Sequence, residues 1–123
     1  MYKVVLYEDQ NGNSEIKEQL DDLKERSLLN KDARIQYKSI MLHVFLLQEN
    51  GTWISSVYTK HIEDNIWELR PGKNRILYFY YDNDTFVLLH MFRKTTQKTP
   101  SIEIEKAKRE AADYTARMGG NTK

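Results

Sequence analysis

The sequence predicts one α+β domain with the element order β-α-α-β-β-β-α, in which an antiparallel sheet packs on a helix pair and a C-terminal helix. Three observations support this class. The chain has 123 residues, the size of one domain. Apolar residues recur at helical spacing in two early stretches and near the end of the chain, and alternating strand patterns lie between them. We expect residues 1–118 to form the domain and residues 119–123 a frayed tail.

The N-terminal part of the chain has the pattern of one strand followed by two helices. Residues 2–7 are β-prone and end at a turn rich in Asp, Asn and Gly. Asn13 or Ser14 can cap the first helix, and Asn30 can cap a second helix that continues to about Glu49. A short link between two helices favours an antiparallel pair.

Strand patterns dominate the second half of the chain. Residues 53–60 are ambiguous, whereas Ile66–Arg70, Arg75–Tyr81 and Thr85–Lys94 have the pattern of three strands of a meander, separated by turn residues. The last helix begins after Thr99, which can cap it, with a proline at the first helical position.

Composition narrows the possible functions. The chain has no cysteine, which excludes disulfides and thiolate chemistry and is compatible with a reducing cytosol. We expect a soluble, cytoplasmic protein, because the N-terminus lacks the pattern of a signal peptide and the apolar runs are far too short for a membrane span. No glycine-rich phosphate loop, nucleophile elbow or metal-ligand spacing is present, so we expect neither a metal nor a cofactor.

Two cationic clusters without a carboxylate are the most informative feature for function. They lie at the ends of the predicted strands: Arg70, Lys73 and Arg75 in one, Arg93, Lys94 and Lys98 in the other. In a meander, the start of the middle strand and the end of the last strand lie side by side. Arg70, Arg75 and one of Arg93 or Lys94 can then meet on the sheet face opposite the helices, where they would attract phosphate. Such cations can also simply keep strand edges soluble.

Histidine and tyrosine side chains give weaker signals. His43 lies among apolar helix residues and is expected to be structural, and His61 is expected in a solvated loop. His90 shares a strand face with Lys94, so it is either a half-buried structural residue or a general acid or base. Tyrosines of the predicted strand at residues 75–81 can stack on bases of single-stranded RNA, although half or more of them are expected in the core.

Four short motifs in a fixed order resemble those of a known family. They are WELR at 67–70, RILYF at 75–79, FRKTTQKTP at 92–100 and EIEKA at 103–107. Together they resemble the phage-derived Gp49-like group of HigB toxins within the RelE/ParE superfamily, whose β-α-α-β-β-β layout also fits the predicted elements. Two departures are mild: Arg93 stands where the first of two lysines is usual, and His90-Met91 replaces part of a commoner Leu-His-Gly-Phe pattern.

The resemblance implies the toxin of a type II toxin–antitoxin pair with a RelE-like fold. Such a toxin is a ribosome-dependent mRNA interferase, an endoribonuclease that contacts mRNA in the ribosomal A site and rRNA. It cuts without a metal, by attack of the ribose 2′-OH, and leaves a 2′,3′-cyclic phosphate and a 5′-OH end. A HigA-like helix-turn-helix antitoxin would neutralise it, and the toxin would reach operator DNA only through that antitoxin. No membrane partner is implied.

The resemblance also implies roles for individual residues. The catalytic candidates are the cationic side chains of the motifs: Arg75, Lys94, Arg70, Lys98 and Arg93. Glu68 and His90 are candidates for acid–base or orienting roles. We expect further contacts to RNA from four polar or aromatic residues: Lys73, Asn74, Tyr78 and Tyr80.

Two other functions remain open on the sequence alone. A ParE-like toxin would use the same fold against DNA gyrase, although that activity needs no phosphate-cleaving cluster. A non-catalytic module would only bind nucleic acid or the antitoxin. The intact cationic clusters favour the nuclease over both.

Overall fold

Five strands form one mixed sheet in the computed structural model, which describes residues 1–119. The sheet order is β1-β5-β4-β3-β2, and three α-helices pack on it. A 3₁₀ turn at Gly51–Trp53 follows the second helix. In chain order the elements are β1 (Lys3–Leu6), α1 (Glu15–Arg26), α2 (Lys31–Asn50), β2 (Thr59–Glu63), β3 (Ile66–Leu69), β4 (Asn74–Asp82), β5 (Thr85–Arg93) and α3 (Ser101–Gly119).

The sheet corrects two expectations from the sequence. It is mixed and not purely antiparallel, because β1 runs parallel to β5 while the other neighbours are antiparallel. It also has one more strand, β2, which forms from the end of the ambiguous segment and pairs with β3. The helix pair carries the chain from β1 to the far edge of the sheet, and the four-stranded meander then returns to lie beside β1.

Polar caps fix the two N-terminal helices where the sequence predicts them. The Ser14 side chain accepts from the Lys17 backbone N–H at 3.2 Å, and the Asn30 side chain accepts from that of Ala33 at 2.8 Å. At the end of α2, Gly51 has φ +62°, and a Cβ there would lie only 2.9 Å from Tyr2 Cε2. Glycine therefore lets the end of α2 pack closely against the residue that precedes β1.

The two faces of the sheet bury two separate cores. The face that we call the helix-pair face packs on α1 and α2 and includes Leu69, Ile76 and Tyr78. The opposite face, the α3 face, packs on α3 and includes Leu77 and Phe79. Alternate residues of one strand thus enter different cores, and each fully buried large apolar side chain contributes about 1.5–3 kcal/mol. The cations were expected on a sheet face opposite the helices, but α3 packs on that face.

The last helix extends through Gly119, and residues 120–123 of the predicted tail lie outside the described residues. Among residues 1–119, no helix is long and apolar enough to cross a membrane.

Candidate functional site

The ends of β3, β4 and β5 meet beside the start of α3 and border a small cleft on the α3 face. Antiparallel register places Arg75 opposite Phe92 and Lys60 opposite Glu68. We call this the cationic cleft, and its ionisable lining residues are five cations and one carboxylate: Lys60, Arg70, Arg75, Lys94, Lys98 and Glu68. The prediction that the two cationic clusters converge is confirmed for four of their six members.

Glu68 lies at the centre of the cationic cleft and is almost completely buried. Its Oε2 accepts a hydrogen bond of 2.7 Å from the Thr99 hydroxyl, while its Oε1 lies 3.8 Å from Arg70 Nε and 3.7 Å from Arg75 Nε. The clusters therefore do have a partner acid, contrary to the sequence-based expectation. One carboxylate between two guanidinium groups reduces their repulsion and holds both at the same place.

Arg75 is the most constrained cation of the cleft. Only 7 % of its surface is exposed, and its Nη1 donates to the carbonyls of Gly72 at 2.7 Å and Asn74 at 2.8 Å. Burial lowers the pKa of Arg75, the Glu68 carboxylate raises it, and Arg70 lowers it further. A guanidinium stays charged at neutral pH despite such a shift. Its Nη2 makes no hydrogen bond within residues 1–119 and remains available to a ligand.

The lysines of the cleft provide mobile positive charge at its mouth. Lys94 is partly exposed, and Lys60 and Lys98 are exposed. Within the described part of the chain, none of the ion pairs involves these three ammonium groups. The loop that carries Lys98 is ordered locally, since the Thr96 hydroxyl donates to the Lys98 carbonyl at 2.6 Å. Three ammonium groups without a counter-ion among the described residues favour the binding of a phosphate at the cleft.

The size of the cleft limits how a ligand can bind. Its volume is about 20 Å³, which is too small to enclose a nucleotide. A phosphate would therefore lie at the mouth of the cleft, with the lysines and Arg70 around it and with Glu68 and Arg75 directly beneath it. Among residues 1–119, no three His, Cys, Asp or Glu side chains are grouped so as to hold a metal ion.

Arg93 and Asn74, which were expected to contribute to the site, lie on the other side of the sheet from the cleft. Arg93 precedes Lys94 and points to the helix-pair face, where its Nη1 donates to Gln36 Oε1 at 3.1 Å and Asn74 Oδ1 at 3.4 Å. Asn74 is buried and donates to the same Gln36 oxygen at 3.0 Å. Consecutive strand residues face opposite ways, so only one of Arg93 and Lys94 can reach the cleft.

The structure places both tyrosines that were expected to contact RNA outside the cationic cleft. Tyr78 is completely buried, its hydroxyl lies 2.7 Å from Thr59 Oγ1, and burial raises its pKa to about 12. No base can stack on a ring enclosed in this way. Tyr80 is 43 % exposed but packs on Phe86, toward the end of β4 that is remote from the cleft. Lys73 is exposed in the turn before β4 and keeps access to solvent.

The three histidines lie outside the cleft. His90 is only 2 % exposed beneath α3, with Nδ1 2.5 Å from Glu110 Oε1 and Nε2 3.1 Å from Glu103 Oε1. We call these three residues the His90 cluster. His43 is buried on α2, and its Nδ1 lies 2.7 Å from the Ser39 carbonyl.

Sequence reasoning missed two contributors to the site. Lys60 joins the cleft because β2 pairs with β3, and a signal was present in the Asp64-Asn65 turn between two β-prone runs. His61, expected in a loop, lies on this same strand and is exposed. Thr99 was expected to cap α3, but its hydroxyl bonds Glu68 instead, and α3 begins only at Ser101.

Residues 18–112, about three quarters of the chain, match one protein family, described as phage derived protein Gp49-like (DUF891). The match includes every lining residue of the cationic cleft. None of the individually curated proteins matches the chain.

Proposed function

Because the chain belongs to the Gp49-like family, a toxin-like family of the RelE/ParE type, we propose that it is a HigB-type toxin that cleaves mRNA in the ribosomal A site. The observation that carries the proposal is the cationic cleft, in which Arg70, Arg75 and Lys94 line the same small opening as the buried Glu68. A HigA-like helix-turn-helix antitoxin that blocks this activity, and links the toxin to operator DNA, is part of the same proposal.

The proposed reaction needs three kinds of group. The ribose 2′-oxygen attacks the adjacent phosphorus while a base takes its proton. The phosphorane that forms carries extra negative charge, which cations must stabilise. An acid then protonates the 5′-oxygen as its bond to phosphorus breaks, and the products are a 2′,3′-cyclic phosphate and a 5′-OH end.

The cationic cleft offers side chains for each role. Arg75, through its unused Nη2, and Arg70 are placed to bind the non-bridging oxygens of the phosphorane. Glu68 Oε1 accepts no hydrogen bond in the described structure, so it is the acceptor for the 2′-OH proton. Lys94 and Lys98, which form no ion pair within residues 1–119, are the proton donors to the leaving 5′-oxygen.

Replacing Glu68 by glutamine tests the proposed base. The amide side chain keeps an oxygen for the Thr99 hydroxyl but loses the negative charge and the proton acceptor. We expect the rate of cleavage per folded molecule to fall about 100-fold, the lower range for loss of a general base. The thermal midpoint should also fall, because Arg70 and Arg75 lose the negative charge between them. A Glu68→Gln variant that cleaves at the wild-type rate would show that the base lies elsewhere.

Inducing the chain alone in bacterial cells tests the function as a whole. We expect growth arrest and new 5′-OH ends within codons of translated messages, mapped by primer extension and by ligation that requires a 5′-OH. Intact messages together with DNA damage would contradict the proposal and favour a target such as gyrase.

A further inference from the structure

A second and larger cavity lies along the edge strand β2, and nothing described so far assigns it a role. Its volume is about 480 Å³, within the range of about 300–1,000 Å³ typical of small-molecule sites. Its lining joins the segment before β2 to side chains of β2 and β3, among them His61 and Trp67. We call it the β2 cavity.

The β2 cavity and the cationic cleft share two cations. Lys60 and Arg70 line both of them. Arg70 links the two sides directly, because its Nη1 donates to the Ser56 carbonyl at 3.5 Å while its Nε lies 3.8 Å from Glu68 Oε1. A phosphate bound at these two cations would therefore have the proposed reacting centre on one side and the β2 cavity on the other.

The β2 cavity also carries an aromatic surface. Trp67 packs partly on the helix-pair core but remains partly exposed, and the His61 ring lies 5.2 Å from it at an angle of 63°. Aromatic side chains beside cations are the usual means of holding single-stranded RNA, because bases stack on rings while phosphates meet the cations. The cavity combines both features next to the cleft.

We propose that the β2 cavity is a nucleotide subsite, in which the base adjacent to the scissile phosphate stacks on Trp67 while Lys60 and Arg70 hold the intervening phosphate. This inference rests on the proposed RNA-cleaving function. It adds a location for the base, on the helix-pair side of the edge strand and outside the cleft itself.

The test combines a protein change with an mRNA change. Ribosomes are loaded with synthetic mRNAs that each lack one base in or beside the A-site codon but keep the sugar and phosphate. For the wild type, we expect one such abasic position to slow cleavage about 10-fold, within the range for loss of one stacked base. Trp67→Leu keeps an apolar side chain against the core. This variant should cleave the intact mRNA about 10-fold more slowly than the wild type does, and the abasic position should not slow it further.

Trp53 offers a matched control, because it is the other tryptophan of the chain and is 90 % exposed on the 3₁₀ turn. Trp53→Leu should keep the full abasic penalty. If Trp67→Leu does not fold, Trp67→Phe replaces it and should retain a measurable but smaller penalty, because phenylalanine still offers a ring.

The outcomes separate the two proposals. An equal abasic penalty in the wild type and Trp67→Leu at every position, with efficient cleavage by both, overturns the β2 subsite and leaves the proposed function in place. Loss of the penalty in Trp53→Leu, or an unchanged penalty in Trp67→Phe, also overturns the assignment to Trp67. A wild-type protein that leaves all ribosome-bound mRNA intact overturns the proposed function and the subsite with it.

Discussion

The cationic cleft and the His90 cluster lie on the same face of the sheet and combine the same kinds of group, but their hydrogen bonding differs. In the His90 cluster each ring nitrogen lies within hydrogen-bond distance of a carboxylate oxygen, and the His90 ring is buried beneath α3. In the cleft, Glu68 lies beside two guanidinium groups, and the lysines form no ion pair in the part of the chain that the structure describes. A buried group of charged side chains is therefore not by itself evidence of a functional site. Hydrogen-bond donors that have no partner in the described structure and lie at a solvent-accessible opening are stronger evidence.

Arg75→Lys should lower the rate of cleavage the most, and it is the strongest test of the difference between the cationic cleft and the His90 cluster. A lysine keeps the charge but ends in one nitrogen, which cannot lie beside the Gly72 and Asn74 carbonyls and also at the position of Nη2, where the phosphate would bind. We expect the rate of cleavage to fall about 100- to 1,000-fold, as for loss of an oxyanion donor. Arg93→Lys is the matched control, because Arg93 lies on the opposite face, and its rate should stay close to the wild-type rate in the same assay.

His90→Leu should have the opposite effect. It should lower the free energy of unfolding and leave the rate of RNA cleavage almost unchanged. The substitution leaves the Glu103 and Glu110 carboxylates without their buried partner. We expect a loss of about 2 kcal/mol in the free energy of unfolding, measured with urea, because each is left partly desolvated and unpaired. The cleavage rate per folded molecule should change little. A large loss of rate with unchanged stability would assign His90 to catalysis and remove the contrast.

Lys60→Ala tests the cation that the sequence did not reveal. One exposed ammonium near a phosphate contributes about 1 kcal/mol, so we expect cleavage at low substrate to fall about 5-fold. The slope of the logarithm of the RNA-binding constant against the logarithm of the salt concentration should become less negative by about 0.7, as expected for one lost phosphate contact to a single strand. Lys38→Ala, an exposed lysine of α2 outside the cleft, is the control and should change neither quantity.

His43 lies on α2, which packs on the helix-pair face. We expect its titration to give the smallest effect, a change in how the free energy of unfolding depends on pH. Burial lowers the pKa of His43 below its ordinary value of 6.5, and the bond to the Ser39 carbonyl opposes this only in part. The folded protein then binds fewer protons than the unfolded chain, so the stabilisation is present above about pH 6.5 and is lost as the pH falls.

Urea unfolding of wild type and His43→Leu, at about pH 7.5 and about pH 5.5, measures this difference. The wild type should lose more stability between the two pH values than the variant does. Equal losses would show that His43 stays neutral in both states, or charged in both.

Alternation within strands was enough to predict how the cleft assembles. Residues two apart share a face, so Glu68 and Arg70 were expected together, and Arg75 across the turn. The same rule could not tell whether Arg93 or Lys94 faces the cleft, because they are consecutive at a strand end. Nor could it show that Tyr78 is enclosed, since both faces of this sheet are covered and alternation only sorts side chains between two cores.

Features set by contacts distant in sequence were the ones missed. The parallel pairing of β1 with β5 has no local signal, and β2 is short with mostly exposed polar residues, so its pattern is weak. Thr99 has the chemistry of a helix cap, but a buried carboxylate distant in sequence takes its hydroxyl. Contacts with residues distant in sequence decided these features, and a single sequence does not identify those residues.

Single-turnover cleavage on purified ribosomes, programmed with an mRNA of defined A-site codon, measures directly whether the cationic cleft cleaves RNA. We expect the wild type to cut within that codon, leaving a 2′,3′-cyclic phosphate and a 5′-OH end. Arg75→Lys should be slower by about 100-fold or more, while Arg93→Lys should not. An uncut codon with the wild type, or equal rates for the two arginine variants, would contradict the claim that the cationic cleft cleaves RNA.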